Sequence, residues 1–299
     1  MPSSDGVRIV SFGDPDYPTA LKSVPQPPER LWIRGTLPDA RTPAVGVVGA
    51  RASDSYGDEL AAQIAGGLAR AGVVVVSGGA RGIDGIAHRA ALQAGGRTVV
   101  VFGCGIDVVY PSEHRELFEA VVAKGGALVS EQEPGTGPLR GCFPARNRII
   151  AGLSLGVVVV RAEVKSGSLV TARFAREMDR PVMTVPGDVR DALSAGAMEL
   201  FGKGARAVRD AGDILRVCGI EGKAGDVHVD VHGYEERPGP QLEGDCARLF
   251  AALDHRAPKQ FDELVETLAV PAPALARLLT TLELQGLCVQ QPGKYFLRV

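Results

Sequence analysis

The sequence predicts an α/β chain: a doubly wound, mainly parallel sheet, preceded by an extended N-terminal arm and followed by a small winged-helix domain. Three observations carry this expectation. Short apolar strands alternate with amphipathic helical segments between residues 44 and 218. Several strands are unbroken β-branched runs, Val73-Val-Val-Val76 above all, as expected where both faces of a sheet are covered. Beyond a polar stretch rich in Gly and Pro, the remaining residues read as three helices and a hairpin.

Residues 1–43 hold Tyr17-Pro18, Leu21, Val24-Pro25, Pro27-Pro28 and Leu31-Trp32-Ile33-Arg34-Gly35. Proline at that density favours an extended arm over regular helix, and the apolar residues suggest that it packs on the main domain, with Trp32 as a packing anchor. Strands are expected over 45–48, 73–76, 98–102, 127–129, 157–160 and 181–185. Helices are expected over 57–70, 83–94, 113–123, 145–153 and 169–178, and a last unit (195–204, 207–208, 210–217) closes the domain of residues 44–218. Residues 219–240 read as a linker. In residues 241–299, helices over 245–253, 261–268 and 274–285 precede two short strands around Pro292-Gly293, the pattern of a winged helix.

Bulk charge does not announce a partner. The 299 residues carry a net charge of −2 and an isoelectric point near 6.2, so any polyanion site must come from locally clustered arginine. Five cysteines, widely spaced and without a C-x-x-C pair, fit reduced thiols in a cytosol better than a disulfide frame or a zinc site. The start Met-Pro-Ser-Ser-Asp-Gly lacks the pattern of a signal peptide, and no apolar run is long enough to cross a bilayer. A soluble, cytoplasmic chain with no membrane partner is expected.

The expected strand ends share a composition. Gly49-Ala50-Arg51 follows the first strand, Ser77-Gly78-Gly79-Ala80-Arg81-Gly82 the second and Gly103-Cys104-Gly105 the third. Phe143-Pro144-Ala145-Arg146-Asn147-Arg148 enters the helix before the fifth strand. Lys165-Ser166-Gly167-Ser168 follows that strand, with Thr171 and Arg173 on the next helix. A doubly wound sheet gathers such turns along one edge, where ligands bind. Small turns, hydroxyls and arginines along an edge suit a line of phosphates. The chain has no G-x-x-x-x-G-K-[ST], no G-x-G-x-x-G after its first strand and no H-E-x-x-H, so no cofactor, metal or NTP hydrolysis is expected. Asp84 and His88, four apart beside Ser77, suggest a hydrolase triad. The simpler expectation is that Asp84 caps the helix and His88 bonds within the turn, with no catalytic residue.

At these residues the chain resembles the DNA-processing protein A family (DprA, also called Smf). The matching string runs through Tyr17-Pro18, Pro28, Leu31, Arg34-Gly35, Val48-Gly49-Ala-Arg51 and Tyr56-Gly57. It continues with Ser77-Gly-Gly-Ala-Arg-Gly-Ile-Asp84, Ala87-His88, Ala91-Leu92, Tyr110-Pro111, Ser130-Glu131 and Phe143-Pro-Ala-Arg-Asn-Arg-Ile-Ile-Ala-Gly152. Ser166-Gly-Ser168, Thr171-Ala172 and Val185-Pro-Gly187 complete it, so that it covers roughly residues 10–215. The resemblance implies a Rossmann-like domain that binds single-stranded DNA, forms a homodimer and helps load RecA onto that DNA in natural transformation. It implies DNA contacts at Gly49 and Arg51, at Ser77 and Gly78, and at Phe143, Arg146 and Arg148. Position along the strand-end edge adds Gly79, Arg81, Asn147, Lys165, Ser166, Gly167 and Ser168 to the candidate site.

Two departures from the family pattern stand out. Ala50 replaces the hydroxyl residue of the first turn, and the chain begins at the arm, without the helical domain that many members carry in front of it. If Arg51, Arg81, Arg146 and Arg148 each met a phosphate, the slope of log K against log salt would be about −3. The alternative is a nucleotide-binding enzyme, or one cleaving nucleotide N-glycosidic bonds, on a related fold. Those enzymes carry Pro-Gly-Gly-x-Gly-Thr-x-x-Glu, and the comparable Ser166-Gly-Ser-Leu-Val-Thr171-Ala-Arg173 lacks the acid. The expected recognition helix of the winged helix, 274–285, has only Arg277 as a base, which favours protein contact over duplex DNA.

Overall fold

The computed structural model describes residues 6–139, 141–220, 242, 244–254, 258–285, 287–291 and 293–298. They fall into two compact units, one holding the described residues up to 220 and the other those from 242 onward. Residues 221–240, most of the expected linker, lie outside the described residues.

In the first unit the valine runs become the centre of a nine-stranded sheet. β3 (Ala44–Val48), β4 (Val74–Ser77), β5 (Thr98–Phe102), β6 (Ala127–Ser130), β7 (Val157–Val159), β8 (Val182–Thr184) and the short β9 (Arg206–Ala207) are parallel to one another. Strand alternation assigns each side chain a face. Val74, Val76, Val157 and Val159 enter one apolar cluster, while Val73, Val75, Val158 and Val160 enter the other. The second cluster is closed by α1 (Ser55–Arg70), α2 (Ile83–Gln93) and α7 (Ala211–Val217), through Ile64, Ala87 and Ile214. The first is closed by α4 (Cys142–Leu153), α5 (Ser168–Glu177) and α6 (Ala192–Gly202), through Ile149, Ala172 and Leu200. α3 (Arg115–Ala123) buries Leu117, Phe118 and Val121 against Val100 and Phe102. This is the doubly wound layering expected.

The arm does more than pack. It supplies β1 (Val7–Ser11) and β2 (Arg30–Gly35), and β2 pairs antiparallel with β6, extending the order to β1-β2-β6-β5-β4-β3-β7-β8-β9. The prolines that argued for an irregular arm fall in the loop between these strands, where no ladder needs their missing N–H. Tyr17, Leu21 and Val24 of that loop are buried on the sheet face that carries α4, and Tyr17 Oη donates to the Pro28 carbonyl at 2.8 Å. Trp32 is 7% exposed and sits in the cluster under α3.

β4, β5 and β6 step away from β3 in one direction, and β7 then pairs on its other side. The chain reverses beside β3, so the loops after β3 and β7 diverge there and leave a crevice at the strand ends.

The second unit is a winged helix: α8 (Gly244–Ala252), β10 (Lys259–Gln260), α9 (Phe261–Leu268), α10 (Ala272–Leu284), β11 (Cys288–Gln291) and β12 (Tyr295–Arg298). Leu249, Leu264, Leu275, Leu279 and Phe296 form its core. β10 joins the expected hairpin as a third strand, in the order β10-β12-β11.

Candidate functional site

The crevice beside β3 is a cleft of about 580 Å³. It is lined by the turn after β3 (Gly49, Arg51), by Tyr110, by the face of α4 that carries Phe143, Arg146 and Asn147, and by the turn into α5 (Ser166–Ser168). A 40 Å³ recess continues it beneath Arg81 and Pro111. Ten of the fourteen candidate residues line one or both: Gly49, Arg51, Gly78, Arg81, Phe143, Arg146, Asn147, Ser166, Gly167 and Ser168. Ser77, Gly79, Arg148 and Lys165 do not.

The floor of the cleft is a chain of hydrogen bonds centred on Arg146. Its Nη1 donates to the Gly78 carbonyl at 2.8 Å and to the Val101 carbonyl, and its Nε donates to Asn147 Oδ1 at 3.2 Å. Asn147 Nδ2 then donates to the Gly167 carbonyl at 3.1 Å. Through α4, the turn after β4 is thereby tied to the start of α5. Arg146 is only 7% exposed, and burial lowers its guanidinium to about 10, which leaves it charged at neutral pH. It is a fixed positive floor, not a mobile surface cation.

Asp84 lies beside this charge. It does not cap α2; the cap position is Gly82, whose φ of +68° and closeness to the Ala50 carbonyl exclude a side chain. From the first turn of α2 the Asp84 carboxylate reaches back to accept from Gly78 N at 3.1 Å and Ala80 N at 3.4 Å. Burial pushes this carboxyl up and Arg146 pulls it back. The glycine turn expected to offer its N–H groups to phosphate therefore gives two of them to Asp84.

Ser77 is wholly buried and donates to the Val47 carbonyl at 2.6 Å. Gly79 is turned inward, where a Cβ would stand 2.6 Å from Val100. His88 bonds across to β5 rather than within the turn, with Nδ1 2.7 Å from Thr98 Oγ1. The Thr98 hydroxyl proton goes to the Val75 carbonyl at 2.6 Å, so His88 Nδ1 must be the donor. Burial lowers this imidazole to about 3. Ser77 also hydrogen-bonds the Asp84 carboxylate, but His88 turns away to Thr98 of β5, so the three form no triad.

Arg148 points away from the cleft. Its guanidinium donates to both carboxylate oxygens of Glu131, at 2.8 and 2.5 Å, and to the Gln26 carbonyl of the arm at 2.9 Å. Lys165 is exposed on a neighbouring groove of about 660 Å³ between α5 and α6. Arg81 is exposed and paired with Glu113.

The rim that remains open combines charge with aromatic surface. The exposed Arg51 guanidinium lies 5.6 Å from the Phe143 ring centroid, and the Tyr110 ring, 41% exposed, packs against Phe143 with centroids 5.6 Å apart. Such a cluster can stack a planar base and meet a phosphate beside it. Tyr110 was missing from the candidate set, although an aromatic soon after the third expected strand was a visible signal. Thr171 was missing too. It lines the cleft at 1% exposure, and its Oγ1 is buried with no hydrogen-bond partner among the described residues. No group of three or more metal-ligating side chains occurs among those residues, and no helix there is long and apolar enough to cross a membrane.

Comparison with known proteins agrees with this fold. The family model for DNA recombination-mediator protein A matches residues 8–219, and that for the DprA winged helix domain matches residues 235–294. Protein Smf of Synechocystis sp. is 35% identical over 325 aligned positions, spanning 97% of this chain and 80% of that protein. DNA processing protein DprA of Streptococcus pneumoniae is 42% identical over 215, spanning 71% and 76%. The X-ray structure of the S. pneumoniae protein superposes with a TM-score of 0.65 at 39% identity, covering 71% of this chain and 74% of that one. DNA processing protein A of Helicobacter pylori, whose structure was described for its single-stranded DNA binding mode, gives a TM-score of 0.61 at 29% identity, covering 70% and 94%.

Proposed function

The chain belongs to the DNA recombination-mediator protein A family, and on that premise we propose that it binds single-stranded DNA in the cleft beside β3. The observation that carries this reading is the rim itself, where Arg51, Phe143 and Tyr110 set a cation and two aromatic faces above a positively charged floor. Bases stack on the aromatic pair, Arg51 meets the backbone, and Arg146 supplies a fixed field from beneath. With few groups aimed at base edges, sequence preference is slight.

Residues 44–218 form the DNA-binding domain in this reading, with residues 1–43 as an arm packed on it, 219–240 as the linker and 241–299 as the winged-helix domain. The DNA-contacting set is narrower than the sequence pattern suggests. It consists of Gly49, Arg51, Arg81, Phe143, Arg146, Asn147 and Ser166–Ser168, joined by Tyr110. Lys165 extends the track beyond the cleft, whereas Ser77, Gly78, Gly79 and Arg148 hold its walls in place. In the cytoplasm a homodimer would protect incoming single strands and load RecA onto them in transformation, with no catalytic step.

Fluorescence anisotropy with a labelled single-stranded oligonucleotide tests the reading. Wild-type chain binds, and Arg51→Ala binds about tenfold more weakly, the loss expected of one charge-assisted contact. Equal binding by wild type and Arg51→Ala removes Arg51 from the site. RecA filament assembly on coated single strands, with and without the protein, tests the loading role.

A further inference from the structure

We infer that the cleft contains a dedicated phosphate subsite at the start of α5, formed by the Thr171 hydroxyl and the open space at Gly167; this rests on the single-stranded DNA reading above. A helical threonine ordinarily donates to the carbonyl four residues back, here that of Gly167. That carbonyl already accepts from Asn147 Nδ2 at 3.1 Å and from Val170 N at 3.2 Å. The Thr171 hydroxyl is therefore left buried, at 1% exposure, with no partner among the described residues, on the wall of the cleft. Buried hydroxyls are rarely left so, because an unmade hydrogen bond is costly.

Gly167 points the same way. Its φ of −61° is open to any residue, and a Cβ built there meets nothing within 4 Å. Other glycines of the cleft are explained by the protein's own packing: a Cβ at Gly49 would stand 2.6 Å from Ile83, and one at Gly78 2.5 Å from the Arg146 guanidinium. At Gly167 the space is open cleft.

The N-terminus of α5 supplies the charge. Gly167 caps it without a side-chain hydrogen bond, and the dipole of a ten-residue helix favours an anion there. Ser166 and Ser168 flank the position with their hydroxyls 2.7 Å apart. A phosphate oxygen would accept from Thr171 Oγ1 and take the place of the missing partner. That phosphate is either an internal diester of the strand or a terminal monoester.

The full-length chain and its Thr171→Val, Thr171→Ser and Gly167→Ala variants test this by anisotropy with 5′-hydroxyl and 5′-phosphorylated single strands, and by calorimetry with a nucleoside 5′-monophosphate. Valine keeps the shape and removes the hydroxyl, so Thr171→Val binds about tenfold more weakly while melting at the same or a higher temperature. Thr171→Ser retains affinity, and Gly167→Ala loses it with no change in melting. A loss with both oligonucleotides marks an internal diester; a loss confined to the phosphorylated one marks a terminal monoester. If wild type binds the strand and both Thr171→Val and Gly167→Ala bind it equally well, the subsite is overturned and the DNA reading stands. If wild type binds no strand but binds the monophosphate through Thr171, the DNA reading fails and the subsite stands.

Discussion

Arg146 and Arg148 are separated by one residue and do different work. Arg146 is held under the cleft by the carbonyls of Gly78 and Val101, whereas Arg148 clamps Glu131 and the Gln26 carbonyl of the arm. Removing Arg148 leaves Glu131 without its cation and takes away one hydrogen bond to the arm. Arg148→Ala should cost roughly 3 kcal/mol in chemical denaturation, as expected for breaking a largely buried pair, and its DNA affinity should fall only as far as the fold does. His88 makes a second prediction. Burial lowers its folded-state pKa from 6.5 to about 3, so the fold favours the neutral ring. This contribution is full above pH 6.5 and is lost as pH falls from there toward 3, at about 1.4 kcal/mol per pH unit. His88→Gln should flatten the slope of unfolding free energy against pH in that window by about one proton. An unchanged slope would mean that His88 is protonated in the fold.

α4 is the element that builds the site. Residues two apart on a helix are about 200° apart around its axis, which sends Arg148 to the arm while Phe143, Arg146, Asn147 and Ile150 share the face toward the cleft. That division was legible in the sequence by helical period, yet the resemblance treated the two arginines alike. The central strands and the helices between them were equally legible, because valine runs and 3.6-residue periodicity are local signals. β1 and β2 were not, since their pairing with β6 is non-local and the prolines between them dominate the local reading. The roles of Ser77 and Asp84 were hidden for the same reason: only the fold shows that a neighbouring carbonyl and two turn amides take them. In the winged helix, α10 exposes Ala276, Arg277, Thr280 and Leu284, the last at 85%, a face poor in charge. Arg277→Ala in the full chain should leave affinity for duplex DNA unchanged. A marked loss would make α10 a duplex reader.

Across the molecule, a net charge of −2 makes non-specific attraction to DNA weak, so the proposed binding rests on the cleft. Arg146 and Arg148 are too buried to trade counterions for phosphate and Arg81 is already paired with Glu113, which leaves Arg51 and Lys165 as the open cations on the proposed track. The four-arginine count and its steep salt dependence therefore give way to a shallower one, with stacking on Phe143 and Tyr110 carrying the salt-independent part. The most direct test is the salt dependence of binding by the full chain to a single-stranded oligonucleotide, with a duplex of the same sequence alongside. Two neutralised phosphates predict a slope of log K against log salt of about −1.4 for the single strand, with the duplex bound more weakly throughout. A slope near zero, or equal affinity for the two, would contradict a cleft that clamps single strands by phosphate and base.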